Sequence, residues 1–467
     1  MEIEAKHLRK HATSRRGSLA LTKQATRASA HSTNASLNPG HATQPASELD
    51  PLDEKSQLEH AGIPDSGPDD QPRISDLDPS VDNLSLLTPA RIESKLLEID
   101  PASVGINGHT DIFIHSGTRL CYGILLVVFS MIENPIFNKI LYIVGFKGDR
   151  ERGTRYLWQA ARFTNFNSAI AGIALLGYYN GLVGFCDILP TDAGADDDLS
   201  GYPRARTSIL LADMRKRYPD SKLWKMEEAR MHSFNRNLAG AIKILAENSD
   251  SNMKQIASIN MFEMSLTTMF MHDYELCAKS WIQCAELSSW SPTLYKYFTG
   301  AAYLELYRNL RDSDPTTAKA YKDKATKYIK AGPPLAGRQK VMARQLPFDV
   351  YIVRKVQKWE ERAKAWNVDL VDVIGVSPLA EMTYHWGGFK KQNPAQLQKS
   401  MDIIEWSRTN QPEKHKAELD ETSNQALLRA CIFRNMKRYT EAREILEKDV
   451  LSHERYVRIH SLSISSY

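Results

Sequence analysis

Ser265-Leu-Thr-Thr-Met-Phe-Met-His-Asp-Tyr274-Glu-Leu-Cys277-Ala-Lys-Ser-Trp281 is the stretch on which the fold turns. A small residue is followed nine positions on by a bulky one, three further by a second small one, and four beyond that by Trp. Two helices joined by a tight turn need this order, with small side chains where they cross and large ones filling the groove to the next pair. The spacing recurs at Ala229, Leu238, Ala241 and Leu245, and again at Ala430, Tyr439 and Ala442, with Phe433 inside the first helix of that window. Gly300 with Tyr303 supplies half of a fourth window, followed by a Lys-rich connection. The Trp and Pro positions of a tetratricopeptide repeat are met only sporadically, and the windows are unevenly spaced. The pattern therefore predicts a divergent tetratricopeptide-like array with embellishments.

Outward from these windows the chain stays helical in pattern. Sustained period-2 alternation and long β-branched runs are missing, so the predicted class is all-α. Order is expected to begin at Thr88-Pro89, a good N-cap followed by Pro at the first helical position, with Ile92, Leu96 and Leu97 at helical spacing behind it. Two segments are unusually apolar. Leu120–Ile132 is too short to span a bilayer. Ala169–Phe185 is borderline, and carries Asn180 and the glycines Gly172, Gly177, Gly181 and Gly184. Two buried helices of a large bundle are the expectation; a membrane span or re-entrant contact is the alternative. The predicted organisation is an arm over 1–85, a helical region with the two apolar helices over 86–190, and the repeats over 200–467.

The arm differs sharply from the rest. Residues 1–112 contain no aromatic side chain, so all 8 Trp, 19 Tyr and 14 Phe lie from Phe113 onward. A Ser-, Thr-, Asp- and Pro-rich stretch without periodic apolar positions cannot offset backbone ordering at roughly 1–2 kcal/mol per residue, and disorder is predicted. Its first 45 residues carry seven Lys or Arg against Glu2 and Glu4, whereas residues 46–82 carry eleven Asp or Glu against Lys55 and Arg73. The early acids and the missing amphipathic stripe count against a mitochondrial targeting segment. Arg15-Arg16-Gly17-Ser18 fits a basophilic kinase, which makes Ser18 the candidate phosphorylation site.

Charge and cysteine usage exclude several classes. A formal net charge of +4, from 60 basic and 56 acidic side chains, is too near balance to predict nucleic-acid binding. Cys121, Cys186, Cys277, Cys284 and Cys431 form an odd, scattered set without a CxxC pair, unlike a secreted disulfide scaffold or a zinc module. With no early apolar run resembling a signal peptide, a reducing compartment is expected.

Motifs that could carry chemistry read as structure. Gly145-Phe-Lys-Gly-Asp149-Arg-Glu-Arg-Gly153 lacks the Gly-Lys-Ser/Thr of a phosphate loop, and is expected to be an interhelix turn in which Asp149 caps the next helix. Asp192-Ala-Gly-Ala-Asp196-Asp-Asp198 has Pro203 where a calcium loop needs a bidentate Glu, leaving a solvated loop. Cys277 and Cys284, seven apart beside Trp281, match repeat-core positions and are expected to be buried thiols. His385-Trp-Gly-Gly388 has no motif pairing it with a nucleophile or carboxylate, and is expected to be a turn with a packing Trp. No catalytic or cofactor fingerprint stands out; no catalytic, cofactor-binding or metal residue is predicted.

Several blocks, taken together in order, carry a family resemblance. They are Ile143-Val-Gly-Phe-Lys-Gly-Asp-Arg150, Leu175-Leu-Gly-Tyr-Tyr-Asn180, Arg217-Tyr-Pro-Asp-Ser221, Glu227-Glu-Ala-Arg-Met231, His272-Asp-Tyr274 and Ser289-Trp-Ser-Pro292. Ala343-Arg-Gln-Leu-Pro-Phe-Asp349 follows, with Arg354-Lys355, Lys358-Trp-Glu360, Ser377-Pro378, Glu381-Met382, Tyr384 and Trp386. From Gly117 to Glu447 the chain resembles the fungal inclusion-body clearance proteins, which share a family with animal tetratricopeptide repeat protein 39 and were once catalogued as mitochondrial outer-membrane proteins. The resemblance implies an α-helical protein without known catalytic residues, associated with clearing aggregated protein after folding stress and with lipid-droplet proteins. It supplies no ligand residues.

The expected function is a non-catalytic interaction scaffold, located in the cytoplasm and also the nucleus. Its expected partners are lipid-droplet proteins and inclusion-body components, with no nucleic acid, no cofactor and only peripheral membrane contact. Stacked helix pairs would offer them a concave surface. A mitochondrial outer-membrane protein and an enzyme of lipid or sterol metabolism are the alternatives. After the Tyr439 window the tail from Ser452 to Tyr467 lacks helix periodicity and a polar capping helix, from which a C-terminally truncated array is expected.

Overall fold

The computed structural model describes residues 108–132, 139, 141, 146–186, 188, 202–341, 344–409 and 412–451. The 1–85 arm, Ser18, Thr88-Pro89, the Asp192–Asp198 loop and the tail from Ser452 lie outside the described residues.

The described chain is helical except for a two-residue antiparallel ladder, β1 (Lys340–Val341) with β2 (Arg344–Gln345). It begins with three packed helices, α1 (His109–Ser130), α2 (Arg150–Ala161) and α3 (Phe166–Leu176). α3 continues through a π-helical turn, Gly177–Leu182, to Phe185. Two glycines let α1 and α2 touch. A Cβ on Gly123 would sit 3.0 Å from the Gly153 carbonyl, and one on Gly153 2.9 Å from that of Gly123. Asp149 accepts from the Arg152 amide at 3.0 Å and caps α2, as expected of that turn. Asn165 caps α3, and Asn167 donates to the Phe113 carbonyl and the Ser116 hydroxyl of α1, each at 3.0 Å.

After α4 (Arg204–Arg217) the helix pairs start: α5 (Lys222–Phe234) with α6 (Leu238–Glu247), α7 (Lys254–Met271) with α8 (Tyr274–Leu287), and α9 (Pro292–Leu310) with α10 (Pro315–Ala331). The three full windows share one turn. Arg236, His272 and Lys437, each seven residues after the first small position, all adopt left-handed backbone with φ of 61–63°. In each turn the next amide bonds back five residues: Asn237 to His232 O, Asp273 to Thr268 O, and Arg438 to Phe433 O. This is the Schellman ending of a helix, made here without glycine. At the crossings, Ala229 and Ala241 lie in one cluster, and the Cys277 thiol rests 3.9 Å from the Ser265 carbonyl. Gly300 proves to be the crossing residue of α9 with α10, since a Cβ there would meet the Ile329 amide nitrogen at 2.8 Å. Tyr439 departs from the pattern. It is 62% exposed rather than packed into a neighbouring pair.

The core follows the windows. Trp281 stacks on Phe298 at 4.3 Å, Tyr297 stacks on Trp359 at 6.1 Å, and all four are fully buried. Such pairs add about 0.5–1.5 kcal/mol each beyond the area they bury. The second half comprises α11 (Pro347–Trp366), α12 (Pro378–His385), α13 (Pro394–Thr409), α14 (Pro412–Ala417), α15 (Leu419–Asn435) and α16 (Tyr439–Ile445). Ser291, Asp314 and Ser377 cap helices that each begin with Pro, so Ser/Asp-Pro pairs punctuate the array.

Candidate interaction face

The inner side of α5, α7 and α9, where a partner was expected, is occupied by the chain itself. α12 and the loop to Gln392 lie against it, with Leu379, Met382 and Phe389 buried. Gly388 presses on the Phe270 ring, and a side chain there would collide with it. Gln392 donates to the Phe270 carbonyl at 2.7 Å, Trp386 meets Phe298 at 5.5 Å, and the Lys391 ammonium lies 4.9 Å from the centre of the Phe234 ring. Lys390 reaches the Gly184 and Cys186 carbonyls at the end of α3. The His385–Gly388 motif is therefore a turn, with Gly387 at φ 60° and Trp386 stacked on Phe348 at 4.6 Å. The expected open concave surface is corrected: over α5–α9 it is filled.

His272 fastens this filling. Its Nε2 donates to the Gln396 carbonyl at 3.0 Å, so the neutral ring accepts from the Tyr274 hydroxyl on Nδ1 at 2.8 Å. Burial lowers its pKa to about 4.

Titratable groups converge in the interior between α11, α12 and α15. Glu381 takes Lys355 Nζ at 2.7 Å, Asn424 Nδ2 at 2.6 Å and the Tyr351 hydroxyl. Burial pushes its pKa up against the pull of Lys355. Glu421 takes Arg362 Nη1 at 2.9 Å and the Val376 amide at 3.2 Å. Burial raises it too, but Lys355 and Arg362 outweigh burial and hold it below the ordinary carboxylate value. These groups pair with one another, and two surface depressions lie elsewhere. One, of about 510 Å³, is lined by Lys330, Glu360, Lys364 and Asp369; the other, of about 460 Å³, by Lys254, Ser258, Glu286 and Trp290. Cys277 and Cys284 are buried thiols, their pKa values raised by burial to about 12 and about 11. Among the described residues no group of three or more His, Cys, Asp or Glu is placed to hold a metal.

The two apolar segments are less buried than expected. The helix around the first segment begins at His109, well before Leu120, so the expectation that it is too short is corrected. α1 and Phe166–Phe185 are each long and apolar enough to cross a membrane, yet only 28% and 50% of their apolar windows are buried. α1 turns Gly123 and Val127 to α2, and Ser116 and Gly117 to α3. The face left exposed includes a stripe of Ile114, Thr118, Cys121, Leu125 and Val128, with Phe113, His115 and Met131 also exposed. Phe166 and Ile170 are exposed on α3, and Leu182, Phe185 and Ile188 at its end. Leu120, Leu175 and Leu176 in the same segments are fully packed, so each helix is split between core and surface.

The sequence model of the Iml2/tetratricopeptide repeat protein 39 family matches residues 55–436. The chain belongs to this family. An inclusion body clearance protein iml2 of Sclerotinia sclerotiorum is 63% identical over 334 residues, 71% of this chain and 52% of that protein. Its namesake in Aspergillus clavatus is 45% identical over 377 residues, 80% and 52% of the two chains, and that of Yarrowia lipolytica 34% over 380 residues, 73% and 52%. The chain thus spans about half the length of these curated relatives. No solved structure matches it. The all-α, tetratricopeptide-like fold and the family were both legible in the sequence, whereas the filled inner face and the stripe on α1 were not identified there. The stripe had a signal, its 4-3-4-3 spacing, hidden inside a run that is apolar on every side.

Proposed function

We propose that the chain takes part in clearing misfolded-protein inclusion bodies as a non-catalytic interaction scaffold, whose partners include lipid-droplet proteins and components of the inclusions. The observation that carries this reading is the 63% identity, over 71% of the chain, to a protein named for inclusion body clearance. The geometry supports a scaffold. The converging charges at Lys355, Glu381, Arg362 and Glu421 pair with each other inside the fold. Among the described residues, one surface feature open to a partner is the apolar face of α1 and α3. Partners would dock on this outer face rather than in the filled groove, and contact with lipid-droplet or organelle surfaces would be peripheral, in the cytoplasm with access to the nucleus.

A second reading, residence in the mitochondrial outer membrane, rests on the length and apolarity of α1 and Phe166–Phe185. One experiment separates the two. In fungal cells lacking their own homologue, the tagged chain is floated on a density gradient before and after folding stress, with carbonate washing, while inclusion lifetime is followed by microscopy. Restored clearance, with protein that is soluble or stripped by carbonate, is the expected result. Loss of clearance on Phe185→Asp but not on Glu381→Gln would fit a docking face. Dead but folded Glu381→Gln would favour an enzyme, and carbonate-resistant mitochondrial protein the membrane reading.

A further inference from the structure

The exposed stripe on α1 has a property that general apolarity does not require. Ile114, Thr118, Cys121, Leu125 and Val128 follow one another at intervals of 4, 3, 4 and 3 residues, the spacing of a helix–helix seam. A two-in-seven stripe is the seam that another helix fills, and exposed Phe113 and Met131 extend it towards the two ends of α1. The ends of the stripe are equidistant from Cys121. Ile114 lies seven residues before it and Val128 seven after, Thr118 three before and Leu125 four after. A two-fold axis at Cys121 would bring Ile114 of one copy level with Val128 of the other and Thr118 to within one residue of Leu125, a self-complementary arrangement. The small central residues, Thr118 and Cys121, permit close approach where the helices would cross. No Asp, Glu, Lys or Arg stands in the stripe, so self-pairing opposes no like charges.

The area is also sufficient. From Ile114 to Val128 the stripe runs about 21 Å at 1.5 Å per residue. Counted with its neighbours Phe113, Met131, Phe166 and Ile170, 36–70% exposed, the patch offers on the order of 600 Å². That is the upper end for a monomer's largest apolar patch. Doubled, about 1,200 Å² reaches the lower bound of a specific protein–protein interface.

We propose that the chain is a homodimer in solution, α1 packing antiparallel against α1 of a second copy about a two-fold axis at Cys121. The inference rests on the apolar face of the N-terminal helices being an interaction surface, and leaves the Leu182, Phe185 and Ile188 end of α3 to other partners. Its test uses purified protein without lipid or partner, so it stands or fails independently of inclusion clearance.

Light scattering of the full chain should give twice 52.8 kDa, and Leu125→Asp should return it to the single mass with an unchanged circular-dichroism spectrum and a melting temperature that no longer rises with concentration. Mild oxidation should link two chains in the parent and in Cys186→Ser, and not in Cys121→Ser; this readout does not depend on how Leu125→Asp folds. A single mass at every concentration would overturn the proposal. So would a dimer that Leu125→Asp leaves intact, or Cys121 shielded from a thiol reagent in the monomer, which would mean that the chain's own remaining residues cover the stripe. Association seen only with phosphatidylcholine vesicles would assign the face to lipid instead.

Discussion

Glu421→Ala should cost about 3–5 kcal/mol of unfolding free energy, the range for breaking one side of a buried ion pair. The carboxylate and its partner Arg362 are 5% and 3% exposed in their side chains. Removing it strands the Arg362 charge, whose remaining partners are the Val373 carbonyl at 3.1 Å and the more exposed Glu418 at 3.1 Å. The Val376 amide loses its acceptor as well, and a buried unsatisfied donor alone costs about 1–3 kcal/mol. Glu418 offsets part of the stranded charge, so the lower half of the range is expected. Urea unfolding followed by Trp fluorescence at pH 7.5 reads the loss as a midpoint shift at constant slope. Glu421→Leu combined with Arg362→Met removes both charges, and should lose far less than the sum of the two single changes. A single change costing under about 1 kcal/mol, or strict additivity of the two, would refute the view that this pair joins α15 to α11 as a coupled unit.

Gly300→Ala should destabilise by about 3 kcal/mol, because the new Cβ meets backbone at 2.8 Å and α10 must move away from α9; a thermal melt unchanged from the parent would contradict the crossing. Acidification should destabilise the fold through His272, whose pKa of about 4 lies below its unfolded value of about 6.5. Its contribution is complete above pH 6.5 and falls as pH drops toward 4, because the unfolded chain binds the proton first; the loss at pH 5 is about 2 kcal/mol. His415, held down to about 4 by burial, acts in the same direction. Urea midpoints at pH 7 and 5 test this, and His272→Asn should flatten the slope. Lys437→Gly should stabilise by about 0.5–1 kcal/mol by relieving a φ of 63°; a lower denaturation midpoint would show that the Lys side chain matters more than its backbone.

The repeat windows were legible because helix crossings impose local rules. A small residue at Ser265 and Cys277, or at Ala229 and Ala241, is demanded by contacts within one helix pair, and such contacts leave a fixed spacing in the chain. Gly300 could be read only in half, since the Ile329 backbone it accommodates lies in a helix that carries no matching window residue. Tyr439 kept its place in the spacing while lying exposed, so the spacing located the turn but not the packing of its bulky residue. The filling of the inner face left no such trace. Gly388 against Phe270 and Lys390 against the Gly184 carbonyl join positions more than a hundred residues apart, and no periodicity encodes which distant helix a loop will meet. The pairing of Glu381 and Glu421 with Lys355 and Arg362 was hidden likewise, because charged residues on amphipathic helices ordinarily mark a solvated face.

Hydrogen exchange of the full chain, followed by mass spectrometry over residues 378–392, tests most directly the claim that the array has used its inner surface on itself and must meet partners from outside. Backbone amides of α12, the Phe389–Lys391 turn and Gln392 should exchange as slowly as those of α7 and α9, opening only with global unfolding. Exchange many times faster there, while α7 and α9 stay protected, would mean that the segment lifts away. The inner face would then be available to a partner, contradicting the account.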